Sequence, residues 1–323
     1  MSSAQERILA QYHGLMQVNA SSHLLRSARE IGLIGELREG QRTLEQLRDN
    51  LSLSEASLQL FLDGLMSIGI VEKYDEDHAL SRAGHLLCQY DDDLGDSTWS
   101  NLPDLVRGKI DRENIDDQAQ HDYLAATQWS HTASAMQAAE ILDIGGQDEP
   151  AGLRILDLGC GSAVWSCAMS YRDPESTLTA VDGPGAIEAA TATAESIELG
   201  ERFSPITSLP EDAELPAESF DLVILAQRIS CLDEAEGKKL IDKAVAATAP
   251  NGRLIVIDLF RGNSAPSLSE SLEALKLNLG TRGGYIRSLD EIQANLAQAG
   301  LGNVQFTYLA ASRINLGMAV GRK

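Results

Sequence analysis

From Leu153 onward the chain alternates two kinds of segment, and this constrains its fold more than any other feature. Short apolar runs, RILDLGCG, STLTAVDG, FDLVILAQ and GRLIVIDLF, are bounded by Gly, Pro or Asp. Helical stretches such as GAIEAATATAESIEL and DEAEGKKLIDKAVAAT lie between them. Strands joined through helices run parallel, and a parallel sheet needs both faces covered. Residues 151–323 are therefore predicted to form an α/β, Rossmann-like domain.

Residues 1–95 read differently. Leu15 to Leu37 carries apolar residues at helical spacing and ends in a turn between Gly32 and Gly40. Thr43 opens a short helix, TLEQLRDNL. Ser54 is predicted to cap a longer one, SEASLQLFLDGLMSIGI, through its side-chain oxygen. VEKY and HALS flank the acidic turn Asp75–Asp77 and predict a hairpin. Helices followed by a hairpin give the winged-helix order. The presumed recognition helix, Glu55 to Ile68, holds Glu55 and Asp63 and no Lys or Arg, and the wing holds Asp75, Glu76 and Asp77. Such a face repels a duplex. Packing and dimerisation are the expected use. Residues 96–150 form a polar helical connector with Trp99, Trp129 and Met136, ending in the loop GGQDEPAG at 145–152.

Charge supports this division. The chain of 323 residues has a net charge of −22, of which −15 falls in residues 1–150 and −7 in 151–323. Binding to nucleic acid or anionic lipid is not expected, because both need a basic footprint. No run of 18 apolar residues exists, so no membrane span is expected. The polar start MSSAQERILAQYHGL does not read as a signal peptide. Cys88, Cys160, Cys167 and Cys231 lack CxxC spacing, which predicts a reduced, cytoplasmic setting with no disulfide framework and no metal site.

The chemistry is concentrated where the first parallel strand ends, at Asp157-Leu158-Gly159-Cys160-Gly161-Ser162-Ala163. Gly159 and Gly161 permit a tight turn and close approach of a ligand. The second strand ends at Asp182, beside Gly183 and 25 residues beyond Asp157. An acid there can accept both hydroxyls of a ribose. NAD would prefer a third glycine and an open helix start for its pyrophosphate, but here Val164 and Trp165 crowd that start. Asp157 ahead of the glycines suits a cationic ligand, so S-adenosylmethionine is expected over NAD.

The pieces ILDLGCG, VDGPGAIEAA, FDLVILAQRISCLDEAEGKKLI, PNGRLIVIDLF and GGYIRSLDEIQANLAQAGL, in this order behind a winged helix, resemble the small-molecule O-methyltransferases over nearly the whole chain. That family joins a winged-helix dimerisation domain to a class I methyltransferase domain. It includes plant caffeate-type and bacterial polyketide enzymes. The resemblance implies a homodimer that methylates an aromatic or polyketide-like small molecule and releases S-adenosylhomocysteine. It places Gly159 and Gly161 along the methionine moiety and Asp182 on the ribose. Ser208 and Leu209 fall at the adenine loop, where the usual acid is absent and Glu211 and Asp212 follow. Ala226 and Gln227 meet the cofactor at a strand end.

One departure bears on catalysis. The family's general base is a His in a pattern like Leu-His-x-Trp-x-Asp. Here Ser230 stands at the His position and Leu232 at the Trp position, while Asp233 still matches. No histidine occurs in 132–323. Serine is no base near pH 7. The acceptor either ionises easily and needs only positioning, or takes its base from His121, His131 or a partner's His13. Of these, His131 is preferred. A third possibility is an enzyme that borrows the cofactor without methylating, or a silent regulatory scaffold. Trp129 and Met136, seven residues apart, are expected on one helix face of the substrate pocket. Cys160 and Cys231 read as small buried residues rather than reactive thiols.

Overall fold

The computed structural model describes residues 4–146, 150–262 and 265–323. The loop expected at 145–152 therefore lies partly outside the described residues. The chain divides into two compact units, residues 1–97 and 98–323. Most of the expected connector, from Thr98 onward, clusters with the second unit.

The first unit contains α1 (Ala4–Glu30), α2 (Leu33–Arg38), β1 (Arg42–Thr43), α3 (Leu44–Leu51), α4 (Glu55–Ser67), β2 (Val71–Tyr74), β3 (Asp77–Leu80) and α5 (Arg82–Tyr90). The three strands pair antiparallel in the order β1-β3-β2. The expected hairpin is β2–β3, turned at Asp75 with a left-handed φ of 53°. Thr43 starts α3 with a reciprocal capping box to Gln46. Ser54 behaves differently from the expectation: it precedes α4 in an extended conformation, but its side chain makes no cap hydrogen bond. Leu33, Leu37, Leu47, Leu58, Leu62 and Leu65 build this unit's core. In contrast, α1 leaves Ile8, Tyr12, Leu15 and Met16 exposed, and the first three recur at helical spacing on one face.

The second unit begins within α6 (Asp96–Trp99) and continues through α7 (Leu102–Val106), α8 (Asp117–Thr127) and α9 (Thr132–Ile141). Then come β4 (Arg154–Leu158), α10 (Val164–Arg172), β5 (Thr177–Asp182), α11 (Pro184–Ser196), β6 (Phe203–Thr207) and β7 (Phe220–Ala226). The remainder is α12 (Glu234–Ala247), β8 (Thr248–Arg261), α13 (Leu268–Gly280), β9 (Arg287–Ser288), α14 (Leu289–Gln298), β10 (Gly302–Tyr308) and β11 (Leu316–Arg322). The main sheet runs β10-β11-β8-β7-β4-β5-β6, with β9 beside β8. Strands β6, β5, β4, β7 and β8 are parallel, and β11 and β10 close the edge antiparallel. The four expected strands are β4, β5, β7 and β8.

Near-continuous apolar runs make these strands, because both faces are covered. One face packs Ile155, Leu178, Leu222 and Ile255 with Trp165 and Met169 of α10. The other packs Leu156, Val223, Leu225 and Leu254 with Leu240 and Ile241 of α12. Buried Asp173 accepts N–H bonds from Gly152 (3.1 Å) and Leu153 (2.9 Å), fixing the entry to β4. The chain steps one way from β4 to β5 and β6, then returns to β7 and β8 on the other side. That reversal opens a crevice at the carboxyl ends of β4 and β7. Among the described residues no helix is long and apolar enough to cross a membrane.

Candidate active site

The crevice is walled by the turn after β4. Gly159 and Gly161 have φ of 81° and 55°, a left-handed backbone that glycine adopts without strain. Asp182, at the end of β5, links this turn to the next. Its Oδ2 accepts the Gly161 N–H at 2.9 Å and its Oδ1 the Gly183 N–H at 2.8 Å. Gly183 begins α11, with Pro184 at its first position. Asp157 lies beneath the loop, fully buried. Its Oδ2 accepts from Ser166 Oγ at 2.6 Å, and its Oδ1 has no partner. Burial is the main reason its carboxyl is pushed up to about 7, and nearby Asp182 adds to the rise.

Two residues that the motifs do not flag lie against the glycines. A Cβ on Gly159 would stand 2.8 Å from Arg228 Cγ, and one on Gly161 would stand 2.9 Å from Gln128 Oε1. Gln128 Oε1 also accepts from the Ser162 N–H at 2.9 Å, clasping the loop from the connector. Arg228 is buried and bonds Glu211 and His121, with its Nε unpartnered. A single guanidinium thus joins the loop after β6, the end of β7 and α8. Only its place directly after a strand-end residue marked Arg228 in the sequence, and nothing marked Gln128.

The expected adenine loop follows β6. Ser208 N–H donates to Asp182 O at 3.0 Å, and the Leu209 side chain stands 45% exposed. The acid nearest in sequence, Glu211, faces Arg228. Ala226 is buried at the end of β7. Gln227 follows with a φ of 55°, a strained conformation for this residue. Its Oε1 accepts from Trp165 Nε1 at 3.4 Å, so its amide nitrogen faces His131 Nε2 at 3.2 Å. That nitrogen can only donate, so His131 Nε2 carries a lone pair and the ring proton sits on Nδ1. The imidazole stacks on Trp165 at 5.9 Å. Burial lowers its pKa below the ordinary histidine value, keeping it neutral.

Ser230 is buried in the turn after β7, and its N–H donates to Asp258 Oδ2 at 2.9 Å. Asp233 is the N-cap of α12, accepting the Glu236 N–H at 2.8 Å within a capping box. Its carboxylate is occupied with starting a helix. Trp129 and Met136 do not share a helix: Trp129 lies in the 3₁₀ turn Gln128–His131, Met136 in α9. The backbone tightens at this turn, which breaks the seven-residue spacing that would align them. Trp129 is 43% exposed, and Met136 packs against the core. Cys160 and Cys231 are buried, and burial pushes both thiols up, Cys231 to about 12. Neither is a nucleophile near neutral pH.

Comparison with known proteins gives a family for part of the second unit and a fold for the chain. Residues 155–252 match the model of the methyltransferase domain family. Over 149 residues, 46% of the chain, it is 28% identical to phenazine-1-carboxylate N-methyltransferase of Pseudomonas aeruginosa. That stretch spans 44% of the relative's length. Among solved structures, mitomycin 7-O-methyltransferase superposes with a TM-score of 0.73 at 19% identity, with 99% of each chain covered. Human N-acetylserotonin methyltransferase, in complex with S-adenosylmethionine, gives 0.70 at 18% identity, covering 100% of this chain and 98% of that one. Residues 155–252 are thus a methyltransferase domain, in a chain that has the fold of the small-molecule O-methyltransferases.

Proposed function

We propose that the protein transfers a methyl group from S-adenosylmethionine to a hydroxyl oxygen of an aromatic or polyketide-like small molecule. The observation that carries this reading is the crevice at the switch point, where Asp157 and Asp182 lie under and beside a glycine loop. S-adenosylmethionine supplies an electrophilic methyl group on a positively charged sulfur. Each oxygen of Asp182 keeps a lone pair for a ribose hydroxyl after bonding its glycine N–H. Burial pushes the Asp157 carboxyl up to about 7, and a cationic ligand near its unpartnered Oδ1 would favour the charged form. Leu209 offers an apolar face beside the loop, and Ala226 leaves space at the end of β7. The stem of Arg228 lies over Gly159 and must shift as a ligand takes that place.

His131 is the base in this reading. It is neutral, its Nε2 lone pair is directed by the Trp165–Gln227 chain, and Gln227 also lies beside Ser230 in one cavity wall. An acceptor hydroxyl that replaces the Gln227 amide as donor to Nε2 loses its proton there. A poised base favours oxygen over a tertiary aromatic nitrogen, whose lone pair needs no deprotonation. Ser230 then shapes the turn rather than moving a proton. The exposed stripe Ile8, Tyr12 and Leu15 on α1 supports dimerisation with a second copy through the N-terminal unit.

Calorimetric titration tests the cofactor site. S-adenosylmethionine and S-adenosylhomocysteine are expected to bind at micromolar concentration, and Asp182→Ala is expected to weaken both at least thirtyfold, or ~2 kcal/mol. Absence of binding to the wild type, or unchanged binding to the variant, refutes the assignment. For the base, the rate with a phenol acceptor should be constant above pH 6.5 and fall below the depressed His131 pKa as the ring gains a proton. His131→Ala should cost roughly a hundredfold in kcat and abolish that acid limb. An unaltered profile removes His131 from the mechanism. Light scattering should give a dimer mass, and Leu15→Glu should shift it toward monomer. A wild-type monomer rejects the dimer.

A further inference from the structure

The described cavity next to Gln227 carries information about the acceptor. It is narrow, with Leu124, Leu277 and Leu316 as apolar walls, Asp258 and Glu273 as its carboxyl groups and the Cys231 thiol beside them. Asp258 is only 4% exposed, at the end of β8, while Glu273 comes from α13. No Lys, Arg or His is among the lining residues. The nearby cations have other partners. Arg287 donates to the carbonyls of Ile229, Leu232 and Asp233, and Lys276 sits 3.8 Å over the Tyr123 ring. Arg228 is held by Glu211 and His121.

Asp258 accepts N–H bonds from Ser230 and Leu259, each at 2.9 Å, so its place is fixed by the main chain. Each oxygen keeps acceptor capacity. A ligand carboxylate entering here would meet the carboxyls of Asp258 and Glu273, while Arg287, outside this lining and bonded to three carbonyls, acts on the far side of Asp258, and desolvation adds to the cost. An ammonium or hydroxyl group would find acceptors on both sides. Gln227 joins this cavity to His131, so a ring held at the base can extend a substituent into it. From this geometry we infer that the acceptor is a hydroxyaromatic compound bearing a cationic or hydrogen-bond-donating substituent, which Asp258 and Glu273 receive, and that the site rejects the carboxylate analogue. This inference rests on the methyl-transfer reading and deepens it.

Three phenols that differ only in their substituent test it at pH 7: tyramine (cation), tyrosol (neutral) and 4-hydroxyphenylacetate (anion). Each is titrated into the full chain with and without saturating S-adenosylhomocysteine. Tyramine is expected to bind at least tenfold more tightly than 4-hydroxyphenylacetate, with tyrosol between them. Glu273→Gln should shrink the ratio to about threefold or less. Asp258→Asn should do likewise, and the Glu273 variant decides the matter if Asp258→Asn does not fold. Equal binding, preference for the anion, or no binding of any phenol overturns the inference. Uptake of S-adenosylhomocysteine in the same titrations shows whether the methyl-transfer reading stands regardless of that outcome.

Discussion

The Asp182 carboxylate holds two turns in one geometry. One oxygen takes the N–H of Gly161 from the loop after β4, and the other takes that of Gly183 at the head of α11. Neither turn can move without breaking a charge-assisted hydrogen bond in a nearly water-free place. The loop is gripped from its other side by Gln128 through the Ser162 N–H. Connector, first strand and second strand therefore share one small polar network, and the crevice has a fixed floor. The apolar layers on both faces of the sheet hold the strands that carry these turns.

Much of this was legible in the sequence. Apolar runs buried on both faces marked β4, β5, β7 and β8, and the Asp157–Ala163 and Asp182–Gly183 segments lie at the crevice that the strand order creates. The edge strands were harder to read. Phe203–Thr207 contains Pro205 and is largely exposed, and Gly302–Tyr308 mixes polar residues with few apolar ones, whereas Leu316–Arg322 is buried between β10 and β8 but its short apolar run is broken by Gly317 and Gly321. An edge strand buries too little to impose a pattern. Ser54 followed the N-cap preference without making the bond, because a favoured residue type does not guarantee the rotamer.

Side-chain contacts across elements were least legible. Arg228, Glu211 and His121 are 17 and 107 residues apart in pairing, and no local period brings them together. The same holds for Trp165, Gln227 and His131, whose alignment fixes the imidazole proton. In the sequence, the family resemblance put Ser230 at the position of the usual base. It offered His131 as the preferred substitute, but only the fold supplies the hydrogen-bond chain behind that choice. In the same way, Arg287 and Lys276 stay out of the lining of the cavity next to Gln227 because each finds partners elsewhere.

Arg228 makes the central claim open to direct inspection. Its stem covers Gly159, in the place assigned to the cofactor. A crystal structure of the protein soaked with S-adenosylhomocysteine is the most direct measurement. The expected result is density over Gly159 and Gly161, ribose hydroxyls on Asp182, and Arg228 moved off the glycine. A crevice still filled by Arg228, or density for the nucleoside bound away from Asp182, would contradict it.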